Sequence, residues 1–300
     1  MTTWIECVPN FSEGRDRTVI DALAHAAGSV SGAHLLDVHS DAFHHRSVLT
    51  LAGEAEAVCE AVFRTTQIAT DRIDLTLHEG EHPRVGATDV VPLVPLGDTS
   101  MDTCVGLARS LAARIGAELD IPVFLYGHAA RAPEHCYLID LRRGGLASLG
   151  EALHGSARTP DCGPGTLHPT AGATAVGART FLVAYNIFLD TPDKTVAERI
   201  AARVRASSGG LPAVQAKGFD VGGRAQVSMN LLDIATTTPA QAFAAVARLA
   251  DDLHVGVWTS EFVGLVPEQA VANVTEADLK LARPLAEHLL EPKLRAARSV

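Results

Sequence analysis

Residues 46–95 read RSVLTLAGEAEAVCEAVFRTTQIATDRIDLTLHEGEHPRVGATDVVPLVP, and this stretch decides the fold class. Coarse hydrophobic periodicity predicts a strand at about 46–52, a helix at about 54–72 and a second strand at about 89–95. The polar HEGEHPR segment lies between the helix and the second strand, where it predicts a turn. A strand, a helix and a strand in this order are half of a mixed α/β unit.

The elements predicted outside this stretch complete that unit and then repeat it. In the first half they are strands at about 4–9, 34–38 and 121–126 and helices at about 15–28 and 101–118; in the second half they are strands at about 180–189, 212–219, 224–232 and 255–258 and helices at about 192–206, 238–253 and 275–291. A Pro- and Gly-rich connector at about 156–178 joins the halves. Each half contains the order β-α-β-β-α-β, which is the ferredoxin-like arrangement.

The sequence therefore predicts an α/β (α+β) chain of two ferredoxin-like βαββαβ subdomains. Each is expected to be a mixed sheet covered by helices, with a cleft between the two. The predicted boundaries are 1–178 for the N-terminal subdomain and 179–300 for the C-terminal subdomain. Polar loops at the ends of strands are where we expect ligand-handling side chains, because a rigid scaffold holds such loops in place.

Composition excludes several classes of protein. The chain has 300 residues, of which 47% are hydrophobic and 20% charged, which is typical of a globular protein. A formal net charge of −10 disfavours nonspecific nucleic-acid binding, which needs clustered Lys and Arg. Apolar runs such as FLVAYNIFL at 181–189 are too short to span a membrane, and the N-terminus has no signal-peptide pattern, so we expect a cytoplasmic protein. Five cysteines without a C-x-x-C spacing predict reduced thiols.

Residues 78–82 read HEGEH, which fits the zinc-hydrolase pattern H-E-x-x-H. That chemistry requires one continuous helix that places both imidazoles on the same face. Gly80 weakens such a helix, and Pro83 disfavours the α conformation at His82. We therefore expect a turn that presents polar side chains, and no metal.

Five blocks in order resemble the formiminotransferase family. They are ECVPNFSEG at 6–14, GEHPRVGATDV at 80–90, LYGHAAR at 125–131, GP followed by PTAGATAVGAR at 163–179, and AQVSMNLLD at 225–233. The resemblance runs from about residue 4 to about residue 270, and it is to the standalone bacterial form rather than the form fused to a cyclodeaminase. It implies two α/β subdomains, a homodimer, and transfer of a formimino group from N-formimino-L-glutamate to N5 of tetrahydrofolate.

The resemblance also implies the site. The catalytic histidine of the family lies in its G-E-H-P-R motif, which here makes His82 the acid/base residue. Imidazole suits this role because it titrates near neutral pH and can accept one proton and deliver another. The folate-binding stretch of the family corresponds to Gly163, Pro164, Gly165, Thr166, Leu167, His168, Pro169, Thr170, Ala171 and Gly172.

Four further side chains are expected to bind substrate. Arg46 and Arg84 suit the carboxylates of glutamate or of the folate tail, because guanidinium binds carboxylate through two parallel hydrogen bonds. Glu81 is expected to orient His82 or an amidine nitrogen. Asn10, at the end of the first strand, could hydrogen-bond the substrate or could cap the following helix.

Some positions depart from the family pattern and leave the donor open. They are His39, Phe43, His45, His128 and Phe188. Changing a polar partner in a binding site can change specificity by orders of magnitude. Two alternatives therefore remain, namely a folate-dependent formimino- or formyltransferase that acts on a different amine, and a folate-binding protein without turnover. A cleft rich in histidine could also hold an adventitious metal.

Overall fold

The computed structural model describes residues 3–79, 84–132 and 135–299. These residues form two compact units, Met1–Arg179 and Thr180–Val300. Within the described residues, no helix is both long and apolar enough to cross a membrane. The predicted cleft concerns the placement of one unit against the other and stays a prediction.

The N-terminal unit contains seven strands and five α-helices in its described residues. They are β1 (Trp4–Cys7), β2 (Asn10–Phe11), α1 (Arg17–Gly28), β3 (Ala33–Asp41), β4 (Arg46–Glu54), α2 (Ala55–Arg72), β5 (Thr88–Pro95), α3 (Met101–Glu118), β6 (Val123–Gly127), α4 (Leu138–Leu141), α5 (Gly145–His154) and β7 (Thr174–Ala178). Helix ends follow local chemistry: the Asp16 carboxylate accepts the N–H of Thr18 at the start of α1, and Ser100 does the same for Thr103 at α3.

The seven strands form one mixed sheet in the order β3, β4, β1 and β2 together, β5, β7, β6. The first five strands pair antiparallel, and their order is that of a ferredoxin-like sheet. Beyond β5 the sheet continues with β7 and β6, which pair in parallel. This order places the N-terminal ends of β5 and β7 side by side, so the segments that lead into them are neighbours.

Helices cover the N-terminal sheet on both faces, at different places. Leu23 of α1, Val58 of α2 and Ile115 of α3 belong to one buried cluster with sheet residues such as Leu49. Leu141, Leu149 and Leu153 of α4 and α5 form a second cluster with Phe124 and Tyr126 of β6. Each large apolar side chain buried in this way contributes about 1.5–3 kcal/mol.

The described residues of the C-terminal unit form β8 (Val183–Leu189), α6 (Lys194–Val204), β9 (Val214–Asp220), β10 (Ala225–Leu231), α7 (Pro239–Asp251), β11 (Val257–Val263), α8 (Leu285–His288) and α9 (Leu290–Ala297). The four strands form one sheet in the order β11, β8, β10, β9. All pairings are antiparallel, where a mixed sheet was predicted. The reason is that the two strands joined by each helix are parallel to each other but are not neighbours. A strand of opposite direction lies between them, so every neighbouring pair is antiparallel.

Apolar residues on one face of this sheet, including Tyr185 and Ile187, pack against α6 and α7. Helix α7 begins with a capping box in which the side chains of Thr238 and Gln241 each accept a backbone N–H, and Pro239 occupies the first turn. These local signals agree with the helix that hydrophobic periodicity predicted at about 238–253.

Three sequence predictions of secondary structure were wrong in part. The connector at 156–178 contains the strand β7, which was not predicted, and α4 and α5 precede it. The predicted helix at 275–291 is instead a turn followed by two short helices. Pro284 accounts for this interruption, because proline disfavours the α conformation in the residue before it. The strand predicted at 255–258 is Val257–Val263 in the structure, so it begins and ends later than predicted.

Candidate active site

The hairpin between β3 and β4 builds one wall of the candidate site. The Asp41 carboxylate accepts the backbone N–H groups of Phe43 at 2.7 Å and His44 at 2.9 Å, which fixes a tight turn. His45 then adopts φ of 49°, a left-handed conformation in which histidine is enriched among non-glycine residues. Gly14 lies directly against this hairpin, since a Cβ there would be 2.1 Å from the carbonyl oxygen of Asp41.

Arg84 connects the segment before β5 to that hairpin. Its Nη2 donates to the carbonyl oxygen of His44 at 3.0 Å, and its Nη1 donates to that of His45 at 3.2 Å. Nη1 also lies 2.8 Å from Nδ1 and 2.5 Å from Nε2 of His78. The rings of His45 and His78 are in contact, with 3.9 Å between their centroids and an angle of 32° between their planes. The structure thus brings Arg84 together with residues that are about 40 positions away in sequence.

Arg46 and Arg84 belong to a cluster of buried charge. Burial lowers the pKa of Arg46 to about 10, and the charge of Arg142 adds to this effect while Asp41 and Asp89 oppose it. Burial likewise lowers the pKa of Arg84 to about 10. Both guanidinium groups therefore stay protonated at neutral pH, and the cluster suits a carboxylate ligand.

Asp89 ties this cluster to the start of β5. One of its carboxylate oxygens accepts the N–H of Val85 at 2.8 Å, and the other forms an ion pair with Arg142. The side chains of Asp89 and Arg142 are only 4% and 14% exposed. Sequence reasoning missed Arg142, because it follows α4, a four-residue helix with too short a pattern to detect.

The second half of the predicted folate stretch is a tight turn. Backbone hydrogen bonds join His168 and Gly172 in both directions. The N–H of Leu75 donates to the carbonyl oxygen of Thr170 at 2.9 Å, and the N–H of Ala87 donates to that of Ala171 at 2.8 Å. This turn is therefore held by described residues that precede and follow the GEHPR motif in sequence.

The first half of that stretch is anchored at its ends and open in its middle. Gly163 has φ of 82°, and a Cβ there would be 2.3 Å from the carbonyl oxygen of Ile121. Leu167 packs against the buried cluster of α5. Gly165 and Thr166 between them are exposed, and a Cβ at Gly165 would meet no atom within 4 Å. Pro164 is half-buried and Pro169 exposed.

Asn10 lies in β2, where it is opposite Val48 of β4 and Val90 of β5. Its side chain donates to the carbonyl oxygen of Val8 at 3.0 Å. It is not a helix cap, because Asp16 fills that role for α1. Strand alternation places Asn10, His39 and Arg46 on one sheet face, opposite to the face that carries Leu49 and helices α1, α2 and α3.

Two predicted site residues, Glu81 and His82, lie outside the described residues. His78, the first histidine of the H-E-x-x-H pattern, follows a 3₁₀ turn at Leu75–Leu77 and has an extended backbone with φ of −89° and ψ of 125°. It therefore does not begin an α-helix. Among residues 3–79, 84–132 and 135–299, no group of three or more His, Cys, Asp or Glu side chains is placed to hold a metal ion.

Other departures from the family pattern lie elsewhere in the fold. The N–H of His128 donates to the carbonyl oxygen of Ala178 at 2.8 Å, beyond the end of β6. Phe188 is in β8 of the C-terminal unit, with its ring edge against Trp258. Phe43 and His45 are both in the β3–β4 hairpin, so these two are the departures that lie beside Arg84.

Comparison with known families shows which family the chain belongs to. The family model "Formiminotransferase domain, N-terminal subdomain" matches residues 4–179, and the model "Formiminotransferase domain" matches residues 184–282. The chain belongs to the formiminotransferase family. The two matched segments divide close to Arg179, where the first compact unit ends.

Curated members of the family are similar to the chain over most of its length. Glutamate formimidoyltransferase of Streptococcus pyogenes serotype M1 is 43% identical, over 94% of this chain and 95% of that protein. Glutamate formimidoyltransferase of Thermoplasma acidophilum is 41% identical, over 98% of each. Formimidoyltransferase-cyclodeaminase of Mus musculus is 40% identical over 91% of this chain, which spans 52% of that longer protein.

Proposed function

We propose that this formiminotransferase family member is a glutamate formimidoyltransferase, which transfers the formimino group of N-formimino-L-glutamate to N5 of tetrahydrofolate. The observation that carries the proposal is the similarity to S. pyogenes glutamate formimidoyltransferase over 94% of the chain. Tetrahydrofolate is then a co-substrate, and the reaction joins histidine degradation to one-carbon metabolism. No resident metal is needed for this chemistry.

The reaction requires two nitrogens to exchange one carbon and one proton. N5 attacks the amidine carbon and forms an N–C bond, which gives a tetrahedral intermediate. The bond from that carbon to the glutamate nitrogen then breaks, N5 loses its proton and the departing nitrogen gains one. We assign this proton transfer to His82, with Glu81 orienting it, since a positioned imidazole typically contributes about 10²–10⁴ in rate.

Binding of the two carboxylate-bearing substrates is assigned to Arg46, Arg84, Asn10 and the stretch at 163–172. The guanidinium groups of Arg46 and Arg84 are held in a buried cluster with Asp41 and Asp89, which supports a role in binding carboxylate. Asn10 would hydrogen-bond the substrate from the adjacent strand. Residues Gly163–Gly172 would bind the folate, because glycine lets the backbone approach a flat pterin closely.

The proposal extends to organisation in the cell. Residues 1–178 would carry the catalytic histidine and the folate loop, and residues 179–300 would form the second subdomain. We expect a homodimer in the cytoplasm. Sedimentation equilibrium tests the dimer, since it should report twice the 31.5 kDa mass of one chain.

A direct assay tests the transfer reaction. The protein is incubated with tetrahydrofolate and formiminoglutamate, and the appearance of the formimino- or methenyl-folate chromophore is followed. Turnover that depends on both substrates is expected. Folate binding without turnover would contradict the proposal, and it would favour an amine other than glutamate as the donor.

Two glycine substitutions separate folate binding from folding. Gly165→Ala places its methyl group in open space, so we expect wild-type thermal stability but a roughly tenfold weaker Kd for tetrahydrofolate, equal to about 1.4 kcal/mol. Gly172→Ala is expected to destabilise the fold, because φ is 71° and the new Cβ would lie 2.4 Å from the carbonyl oxygen of Val85.

Tetrahydrofolate titration by tryptophan fluorescence and a thermal melt of each variant measure these two effects. Gly97→Ala is a control for positive φ alone, since Gly97 has φ of 58° and no atom near its Cβ position. Unchanged folate affinity in Gly165→Ala would contradict the assignment of the exposed middle of the stretch to the ligand.

A further inference from the structure

His78 has a specific polar partner that the proposed reaction does not explain. The side chain is half-buried, and its ring lies between the guanidinium of Arg84 and the ring of His45. Guanidinium is a donor only and cannot accept a hydrogen bond. Nη1 of Arg84 lies 2.8 Å from Nδ1 and 2.5 Å from Nε2 of His78. A charged imidazole would present a donor on both nitrogens, whereas the neutral ring has a lone pair on one of them, so this contact favours an uncharged imidazole.

His45 is fixed as the second ring of this contact. Its Nδ1 accepts the backbone N–H of Gly14 at 3.1 Å, which leaves the proton of the neutral ring on Nε2. Its own carbonyl oxygen accepts from Arg84. The same residue thus supports Arg84 directly through its backbone and indirectly by packing its ring against His78.

We propose that His78 is a positioning residue. Its uncharged ring packs against His45 and accepts a hydrogen bond from the guanidinium of Arg84, which holds Arg84 in place for the carboxylate of the substrate. This inference rests on the proposed function only for the identity of the ligand. The hydrogen bond to Arg84 and the packing against His45 are properties of the structure itself. Three acceptors, the His44 and His45 carbonyl oxygens and the His78 ring, then define the direction of one side chain.

The charges that face the two rings favour the uncharged form of His78. Burial lowers its pKa to about 4, and the charges of Arg84 and His45 lower it further, while hydrogen bonds to backbone groups of His45 and Ser12 oppose them. For His45 burial again lowers the pKa, with Arg15 and Arg84 in the same direction.

Glu13 is the acid that opposes the cations around His45. Its carboxylate lies 3.4 Å from Nδ1 of His45 and raises the pKa of that ring, but burial is the larger effect. Both rings therefore stay neutral at pH 7. An ordinary histidine titrates near 6.5 and His78 near 4. The free energy of unfolding therefore decreases as the pH falls below 6.5, and the ring of the folded protein becomes protonated near pH 4. Above pH 6.5 the ring is neutral in any case and stability does not depend on it.

Substitution of His78 tests its effect on substrate binding. His78→Leu removes the acceptor, and we expect KM for formiminoglutamate to rise roughly tenfold with little change in kcat. His78→Gln keeps an acceptor oxygen but cannot be protonated, so it should retain most of the affinity and lose the rise in KM that wild type shows as the pH falls toward 4. Equal KM values for wild type and His78→Leu would overturn the proposal.

An NMR titration tests the same contact without any activity. The ¹³Cε1 resonance of His78 in the full chain is expected to titrate well below pH 6.5, and Arg84→Met should move its pKa upward because the adjacent positive charge is removed. A His78 pKa near 6.5 that is the same in wild type and in Arg84→Met would overturn the positioning role. If the NMR result holds and wild type shows no formimino transfer, the proposed function fails while the contact stands.

Discussion

His82→Ala is expected to lower kcat for formimino transfer by about 10²–10⁴-fold while the protein stays folded, because one imidazole is assigned the whole proton transfer between N5 and the departing nitrogen. KM for tetrahydrofolate should change little, since folate binding is assigned to residues 163–172 and not to His82. Single-turnover absorbance at saturating substrates measures the chemical step, and circular dichroism measures the fold.

A matched substitution shows that the loss is specific. His25 is exposed on α1, which packs on the sheet face opposite to Asn10 and Arg46. His25→Ala should therefore keep wild-type turnover. Added imidazole should restore part of the rate to His82→Ala, because a small base can occupy the space that the side chain leaves. Near wild-type turnover of His82→Ala would rule out the acid/base role.

The parts of the fold that the sequence predicted are those with a strong local signal. The helix predicted at 101–118 has those bounds in the structure, and it has both an N-terminal cap at Ser100 and an amphipathic pattern. The strand β7 had no such signal. Its residues, Thr174–Ala178, are small and buried on both faces, so they show neither alternation nor bulky β-branched side chains.

That missed strand is also why the geometry of the site was not predictable. The folate stretch meets the segment before β5 because β7 pairs in parallel with β5, a long-range contact that no local pattern encodes. The motif residues were predicted from the resemblance alone. The contacts of Arg84 with His78 and His45 depend on a left-handed residue in a hairpin and could be found only in three dimensions.

Asp89→Ala is expected to destabilise the N-terminal unit by about 3–5 kcal/mol, which is typical when one partner of a buried ion pair is removed. The carboxylate accepts the N–H of Val85 and pairs with Arg142, and neither side chain is more than 14% exposed. Loss of this carboxylate leaves the guanidinium of Arg142 buried beside Arg46. In the wild-type protein the negative charge of Asp89 raises the pKa of Arg46 and so stabilises its charged form. Urea unfolding followed by circular dichroism measures the change in free energy.

The double variant Asp89→Leu/Arg142→Met separates charge from packing. It removes both charges and keeps apolar volume, so much of the lost stability should return, because replacing a buried pair with apolar side chains is often neutral. Activity should stay low even then, because the N–H of Val85, the residue next to Arg84, would lose its hydrogen bond to Asp89. Asp140, which is partly exposed and pairs with exposed Arg143, supplies the matched control: Asp140→Ala should cost at most about 1 kcal/mol. A similarly small cost for Asp89→Ala would show that the pair does not hold the start of β5.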